Sequence, residues 1–341
     1  MSRHRPLGAT GLSIAPLVLG GNVFGVNGMD RARSFAVLDA FVAAGGTMID
    51  TADIYANYLP GGKGGESETM IGDWLAHRGR RDDVQIATKV GGPMAPERKG
   101  LGAAHMASAV EESLRRLRTD YIDLYFAHFD DADTPQEEVA QAFDRLVKAG
   151  KVRSVGASNF SAGRLRSALE IAGRKGITPY AALQPLYNLL ERDFEKELQP
   201  LCLERNLGVI TFFGLARGYL TGKYRAIDDL SKSRRGSGVK AYMEGRGPAV
   251  LAVMEAIAAS RAVSLAAIAL AWLMAKPGVT APIASATSVD QLAELIVAME
   301  LALSPEEMRR LDAAGVRDAG SGPAGVGQRS SDQSRVPKIL S

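Results

Sequence analysis

The sequence predicts a closed (β/α)8 barrel, an α/β fold, and three observations carry that prediction. Short apolar runs alternate with amphipathic helical stretches eight times, the pattern of a parallel sheet joined by crossover helices. Three successive runs end on ionisable side chains, Asp50, Lys89 and His128, which is awkward inside a buried strand but usual at the C-terminal mouth of a parallel barrel. No glycine fingerprint of an open nucleotide-binding sheet follows an early strand. The nearest stretch, Gly100-Leu101-Gly102-Ala103-Ala104-His105, lacks the last glycine and does not directly follow a strand.

The elements follow in order. Leu7 to Ile14, with Gly8 and Gly11, reads as an N-terminal β-hairpin placed to plug the bottom of the barrel. Strands are expected at 16–19, 47–50, 84–89, 121–128, 152–158, 182–184, 209–212 and 280–283. Helices are expected at 31–44, 66–77, 104–117, 135–148, 162–172, 194–205, 264–275 and 289–300. Thr134-Pro135 and Ser304-Pro305 each set a cap residue before a proline at the first helical position. Glu111/Arg115 and Glu112/Arg116 are spaced as i,i+4 pairs on a solvated helix face. Three segments break the rhythm: a glycine-rich loop at 57–65, a long basic loop at 213–247, and a Gly/Ser/Arg/Asp-rich stretch at 315–341. One barrel domain is expected over 1–314, with 315–341 as a C-terminal tail or flap.

Composition narrows the function classes. The 341 residues carry 41 basic against 38 acidic side chains, a balance too even to imply nucleic acid. No apolar run is long enough to span a membrane, and no apolar core follows the basic N-terminus as in a secretory signal. The single cysteine, Cys202, excludes an internal disulfide and fits buried core in a reducing, cytoplasmic setting. The four histidines and the acids show no metal-ligand spacing, so no metal is expected.

Strand ends carry the chemistry. Neighbouring strands lie about 4.8 Å apart, so Asp50, Lys89 and His128 would converge, and Tyr55 begins the loop that folds back over them. A phenol is a poor acid at neutral pH; a neighbouring ammonium stabilises the phenolate and makes it a better one. Asp50 would orient that ammonium, and His128 would hydrogen-bond a carbonyl oxygen that gains negative charge. Asp53, Asp123, Asp130 and Asp131 also read as mouth residues, in turn or supporting roles. One further reading of these residues stays open, a Schiff-base lyase with Lys89 as nucleophile.

From about Arg5 to Arg310 the chain resembles the aldo-keto reductase family. The resemblance rests on Gly45-Gly46-Thr47-Met48-Ile49-Asp50-Thr51-Ala52-Asp53-Ile54-Tyr55, Gly65-Glu66-Ser67-Glu68, Ala87-Thr88-Lys89 and Asp120-Tyr121-Ile122-Asp123-Leu124-Tyr125-Phe126-Ala127-His128. It continues in Val155-Gly156-Ala157-Ser158-Asn159-Phe160, Leu183-Gln184-Pro185-Leu186-Tyr187-Asn188 and Gly218-Tyr219-Leu220-Thr221-Gly222-Lys223-Tyr224. It implies a catalytic tetrad of Asp50, Tyr55, Lys89 and His128, with Tyr55 as general acid and the hydride taken from NADPH, NADH being the alternative; as in some similar proteins, a non-catalytic nicotinamide-binding redox sensor or regulatory subunit is the other reading.

The resemblance also implies cofactor contacts. Ser158, Asn159 and Gln184 would hold the nicotinamide carboxamide, Phe212 would stack on its ring in place of the usual tyrosine, and Leu215, Arg217 and Gly218 would cover the pyrophosphate. Ser285, Thr287 and Gln291 fall at the adenosine end without the Lys or Arg that often marks NADPH preference, and Leu295 replaces a frequent asparagine. Asn22, Phe24 and Phe129 match substrate-facing positions, Phe129 replacing a common tryptophan. The implied substrate is a small-molecule carbonyl or a sugar-like compound; the basic loop suits either an anionic sugar phosphate or a solvated lid. The oligomeric state is left open.

Overall fold

The computed structural model describes residues 4–26, 28–95, 97–232 and 238–315. Two short strands, β1 (Arg5–Pro6) and β2 (Ser13–Ile14), pair antiparallel as a hairpin. Eight parallel strands then close into a barrel: β3 (Val18–Gly20), β4 (Met48–Asp50), β5 (Gln85–Val90), β6 (Ile122–Ala127), β7 (Val152–Ser158), β8 (Ala182–Gln184), β9 (Gly208–Thr211) and β10 (Ala281–Ala284). They lie in sequence order, and β10 pairs with both β9 and β3.

Around the barrel run α1 (Arg31–Ala43), α2 (Glu66–Arg78), α3 (Ala103–Leu117), α4 (Gln136–Lys148), α5 (Ala162–Lys175), α6 (Leu198–Glu204), α7 (Lys240–Glu244), α8 (Gly247–Arg261), α9 (Leu265–Ala275), α10 (Val289–Ile296) and α11 (Pro305–Gly315). Local chemistry sets several starts. The side chains of Asp30, Ser161, Ser264 and Ser288 each accept a backbone N–H from the first turn of α1, α5, α9 and α10. Ser304 and Glu307 form a reciprocal capping box on α11.

Strand parity positions the site. Side chains alternate between the two faces of a strand, and Val18, Met48, Ala87, Leu124, Phe126, Ala182, Ile210 and Ala281 form one buried cluster inside the barrel, with Leu7 and Ile14 of the hairpin. The hairpin thus plugs the bottom. Advancing from these positions by two residues, and by two again where needed, reaches Asp50, Lys89, His128, Gln184 and Phe212, so the parity that fills the lower barrel aims polar groups into the upper one. Gly156 belongs to the inward set because the Phe126 ring needs its place; a Cβ there would come within 2.4 Å of the ring. The outward residues of the same strands, such as Ile49, Ile86, Tyr125, Val155 and Leu183, join the larger core under the helices.

Several expectations change. The 194–205 helix is a short 3-10 turn at Asp193–Glu195 followed by α6 from Leu198. Pro200 has no N–H and its ring clashes with the carbonyl four residues back, so the helix begins where Pro200 falls in its first turn. Likewise 289–300 is α10 followed by a 3-10 turn at Val297–Met299. Thr134 does not cap α4, which begins after Pro135; its hydroxyl donates to Asp131 Oδ2 at 2.7 Å instead. Glu112 pairs with Arg116 as expected, but Glu111 bonds Lys151. The long loop contains 3-10 turns at Ala216–Thr221 and Ile227–Lys232 and then α7, and α8 follows it without a sequence signal beyond Pro248 near its start. The expected tail or flap lies outside the described residues, apart from Gly315, which ends α11. Among the described residues no single helix is long and apolar enough to cross a membrane.

Candidate active site

Lys89 is the hub. Its side chain has no exposed surface, and Nζ donates to Asp50 Oδ2 at 2.7 Å, the Thr51 carbonyl at 2.7 Å and the Tyr55 hydroxyl at 3.1 Å. Three N–H bonds meet three acceptors, which satisfies an ammonium completely. Burial draws the Lys89 pKa down, while Asp50 and then Asp53 and Glu68 pull it back up. Asp50 is held from its other side by Gln184 Nε2 at 2.8 Å from Oδ1. The Tyr55 hydroxyl lies 3.4 Å from Asp50 Oδ2.

His128 completes the group. Its ring stands edge-on to Tyr55 with centroids 6.2 Å apart, and Phe129 stacks on it at 4.5 Å. Burial, followed by the Lys89 charge, pushes the imidazole well below its ordinary pKa, so it is neutral at neutral pH. Its Nδ1 is buried and finds no partner among the described residues. A neutral imidazole beside a cation can donate one hydrogen bond to an oxygen without adding charge.

Of the expected cofactor residues, Ser158, Asn159 and Gln184 are tied to this group by hydrogen bonds. Ser158 Oγ donates to the Gln184 carbonyl at 2.9 Å, and Asn159 Nδ2 donates to the His128 carbonyl at 2.8 Å and Ser158 Oγ at 3.1 Å. These bonds leave Asn159 Oδ1 and Gln184 Oε1 as acceptors for an amide. Phe212 is half-buried one step beyond β9. From Phe213 to Gly218 the backbone turns left-handed at Phe213, Ala216, Arg217 and Gly218, and the Ala216 and Gly218 N–H groups close tight turns onto the Phe213 and Leu215 carbonyls. The Arg217 guanidinium lies over the Phe213 ring at 4.4 Å, and a Cβ on Gly218 would come within 3.1 Å of the Lys223 ammonium. Two cations beside a tight turn suit a pyrophosphate; Leu215 occupies the turn before them.

At the far end Thr287 donates through both N–H and Oγ1 to Gln291 Oε1, at 3.0 and 2.9 Å. Ser285 Oγ donates to Asn22 Oδ1 at 2.8 Å, which joins the ends of β3 and β10. Asn22, expected at the substrate, therefore touches a residue expected at the adenosine. Phe24 has no exposed surface and belongs to the outer core, whereas Phe129 is half-buried beside His128.

Asp123 departs from expectation. It lies near the start of β6, at the opposite end of the barrel from the mouth, and bonds Arg81, Arg153 and the Ile86 N–H. The apolar run 121–128 covers the whole of β6, so a residue near its start lies a strand length below His128. Asp130 and Asp131 stay at the mouth in supporting roles: Asp130 takes two bonds from Arg164, and Asp131 accepts from the Leu101 N–H and Thr134.

A buried layer behind the site was not read as such. Glu68 has no exposed surface; it accepts from Thr88 Oγ1 at 2.6 Å and Arg116 Nε at 2.7 Å. Thr51 and Ser67 share a hydrogen bond of 2.7 Å, and Ser67 also donates to the Gly21 carbonyl. The available signal was Ser67 and Glu68 falling on the same stripe as Ile71, Trp74 and Leu75, polar residues on the buried face of α2.

The sequence profile of the aldo/keto reductase family matches residues 16–315. Norsolorinic acid reductase B of Aspergillus parasiticus is 31% identical, with 94% of this chain and 86% of that protein covered. An uncharacterized oxidoreductase of Bacillus subtilis, YrpG, is 35% identical, covering 94% and 96%. The aryl-alcohol dehydrogenase [NADP(+)] of Phanerodontia chrysosporium is 31% identical, covering 92% and 86%. A closed eight-stranded parallel barrel, the convergence of side chains at its mouth and matches along nearly the whole chain agree, and the protein belongs to the aldo/keto reductase family of oxidoreductases.

Proposed function

We propose that this chain reduces an aldehyde or ketone to an alcohol, reversibly, with NADPH as the reductant and Tyr55 as the general acid. The observation that carries the reading is the Lys89 ammonium, 3.1 Å from the Tyr55 hydroxyl and 2.7 Å from Asp50. When bound, the reduced nicotinamide supplies the hydride. The chain's own residues do the rest. Lys89 stabilises the phenolate that forms as Tyr55 yields its proton to the carbonyl oxygen. Asp50, held by Gln184, keeps Lys89 charged and aimed. Neutral His128 hydrogen-bonds the same oxygen and fixes its direction.

Ser158, Asn159 and Gln184 would hold the carboxamide, Phe212 the ring face, the turn through Leu215, Arg217 and Gly218 the pyrophosphate, and Ser285, Thr287 and Gln291 the adenosine. The preference for NADPH follows the relative named for NADP(+). NADH is the second reading, favoured by an adenosine end where residues 284–295 include Asp290 and Glu294 but no Lys or Arg. The half-buried Phe129, Phe212 and Phe213 offer flat apolar faces near His128 and Arg217, so an aromatic carbonyl is the first substrate to try. Lys89 as a Schiff-base nucleophile fits less well, because all three of its N–H groups are already engaged.

The test is the loss of reduced-nicotinamide absorbance with aryl aldehydes, aliphatic ketones and sugars, each run with NADPH and NADH. Turnover with a carbonyl supports the reading. Tight binding of the coenzyme with no turnover on any of them would point instead to a redox sensor.

A further inference from the structure

Asp53 stands between Asp50 and Tyr55 in the chain, yet the mechanism above gives it no task. It is 1% exposed. Neither carboxylate oxygen closes a well-formed hydrogen bond; only the Ile54 N–H approaches. A buried ionised carboxylate without such bonds is costly unless a cation neutralises it. The charges around it are Glu68 from α2, Arg116 from α3, Arg98 from the loop before α3 and Lys89 from β5, with the Tyr125 phenol of β6 alongside.

Those cations are already matched. Lys89 is paired with Asp50. Arg116 bonds Glu68 and Glu112, and Arg98 bonds Glu112. Two acids and two guanidinium groups cancel there, so an ionised Asp53 would leave one uncompensated negative charge in the buried cluster.

We infer that Asp53 is a positioning residue that carries a proton behind the Asp50–Lys89 pair at neutral pH, and that its ionisation draws on Lys89 and weakens the support Lys89 gives the Tyr55 phenolate. This rests on the reading of Tyr55 as proton donor. Charge counting and burial give the first half. The Asp53 N–H donates to the Lys89 carbonyl at 3.4 Å, and a charged Asp53 raises the Lys89 pKa, so the two lie within electrostatic reach; an anion there competes with the Tyr55 phenolate for the one Lys89 charge, which gives the second. Burial, reinforced by Glu68 and opposed by Arg116, pushes the Asp53 carboxyl up to about 8. A charge appearing beside a catalytic pair shifts it by about one pKa unit or more, on the order of tenfold in rate.

Two readouts test this on the full chain. The first is infrared titration of the protein without substrate. It should show a carbonyl stretch of a protonated carboxylic acid that disappears as pH rises through about 8, absent in Asp53→Asn and moved to lower pH in Glu68→Gln, where Arg116 is freed to hold an Asp53 anion. The second is carbonyl reduction against pH, each variant normalised to its own maximum. The parent should show a step of on the order of tenfold ahead of its final decline, Asp53→Asn should lack that step, and Glu68→Gln should show it at lower pH. A band absent at neutral pH, a band unchanged in Asp53→Asn, or a step that survives the substitution overturns the inference. A titrating band in a protein that reduces nothing upholds the proton on Asp53 and counts against the carbonyl-reductase reading.

Discussion

The lower and upper halves of the barrel interior are built from the same eight strands with the same inward parity, and they do opposite work. The lower half is apolar throughout, with Met48, Ala87, Leu124, Phe126, Ala182 and Ile210 packed over Leu7 and Ile14 of the hairpin. One or two steps further along, Asp50, Lys89, His128 and Gln184 converge with almost no exposed surface. A charged group at that depth costs stability unless it is paired and hydrogen-bonded. The lower half supplies the stability and rigidity that let the upper half hold ionisable groups at fixed distances. The two halves should therefore respond differently to substitution.

The largest effect should come from breaking the upper half. Lys89→Met leaves Asp50 buried without its cation and Tyr55 without its electrostatic support. Reductive turnover should fall about 10³-fold or more, and urea unfolding should show a loss of about 3–5 kcal/mol. Turnover within tenfold of the parent would mean that Lys89 does not act on the phenol. In the lower half, Phe126→Ala should cost about 3–5 kcal/mol by the cavity it opens with a far smaller change in turnover. A loss of activity as severe as that of Lys89→Met, in a folded protein, would erase the distinction between the halves.

A smaller effect separates the layer behind the site from both. Asp53 keeps its proton when folded up to about pH 8, whereas an unfolded aspartate releases it near pH 4. Between those limits folding takes up a proton, so stability falls as pH rises from about 4 to about 8 and then levels off. Asp53→Asn should remove that slope and be the more stable protein at pH 8, by on the order of a few kcal/mol. Parallel pH–stability curves for the two would mean that Asp53 is ionised in the native protein. Least of all, Ser304→Ala removes one arm of the capping box on α11 and should lower stability by about 1 kcal/mol without touching kinetics, as thermal melts and initial rates can show.

The legibility of the sequence follows the same division. Strands were readable because short apolar runs alternated with amphipathic helices and three of them ended on ionisable residues, and all eight fell within two residues of expectation at their mouths. Asp50, Tyr55, Lys89 and His128 were readable because each closes or follows a run. What escaped has physical reasons. The α8 helix begins at Gly247-Pro248, which reads as a breaker, and its alanine-rich faces carry little contrast. Arg116 looked solvated by its i,i+4 spacing with Glu112, yet its side chain is 11% exposed because Glu68 draws it inward from another helix. Asp123 shares the β6 run with His128, but it sits at the start of the strand and on the outward parity of Tyr125. Contacts between distant segments, such as Asn22 with Ser285, leave no mark on local pattern.

The most direct measurement pairs two titrations on Tyr55→Phe: reduced-nicotinamide binding by fluorescence and single-turnover reduction of an aryl aldehyde. The account predicts binding close to that of the parent and a chemical step slowed about 10³-fold, the phenyl ring keeping its place while the proton is gone. A chemical step that proceeds at the parent's rate in Tyr55→Phe would contradict it.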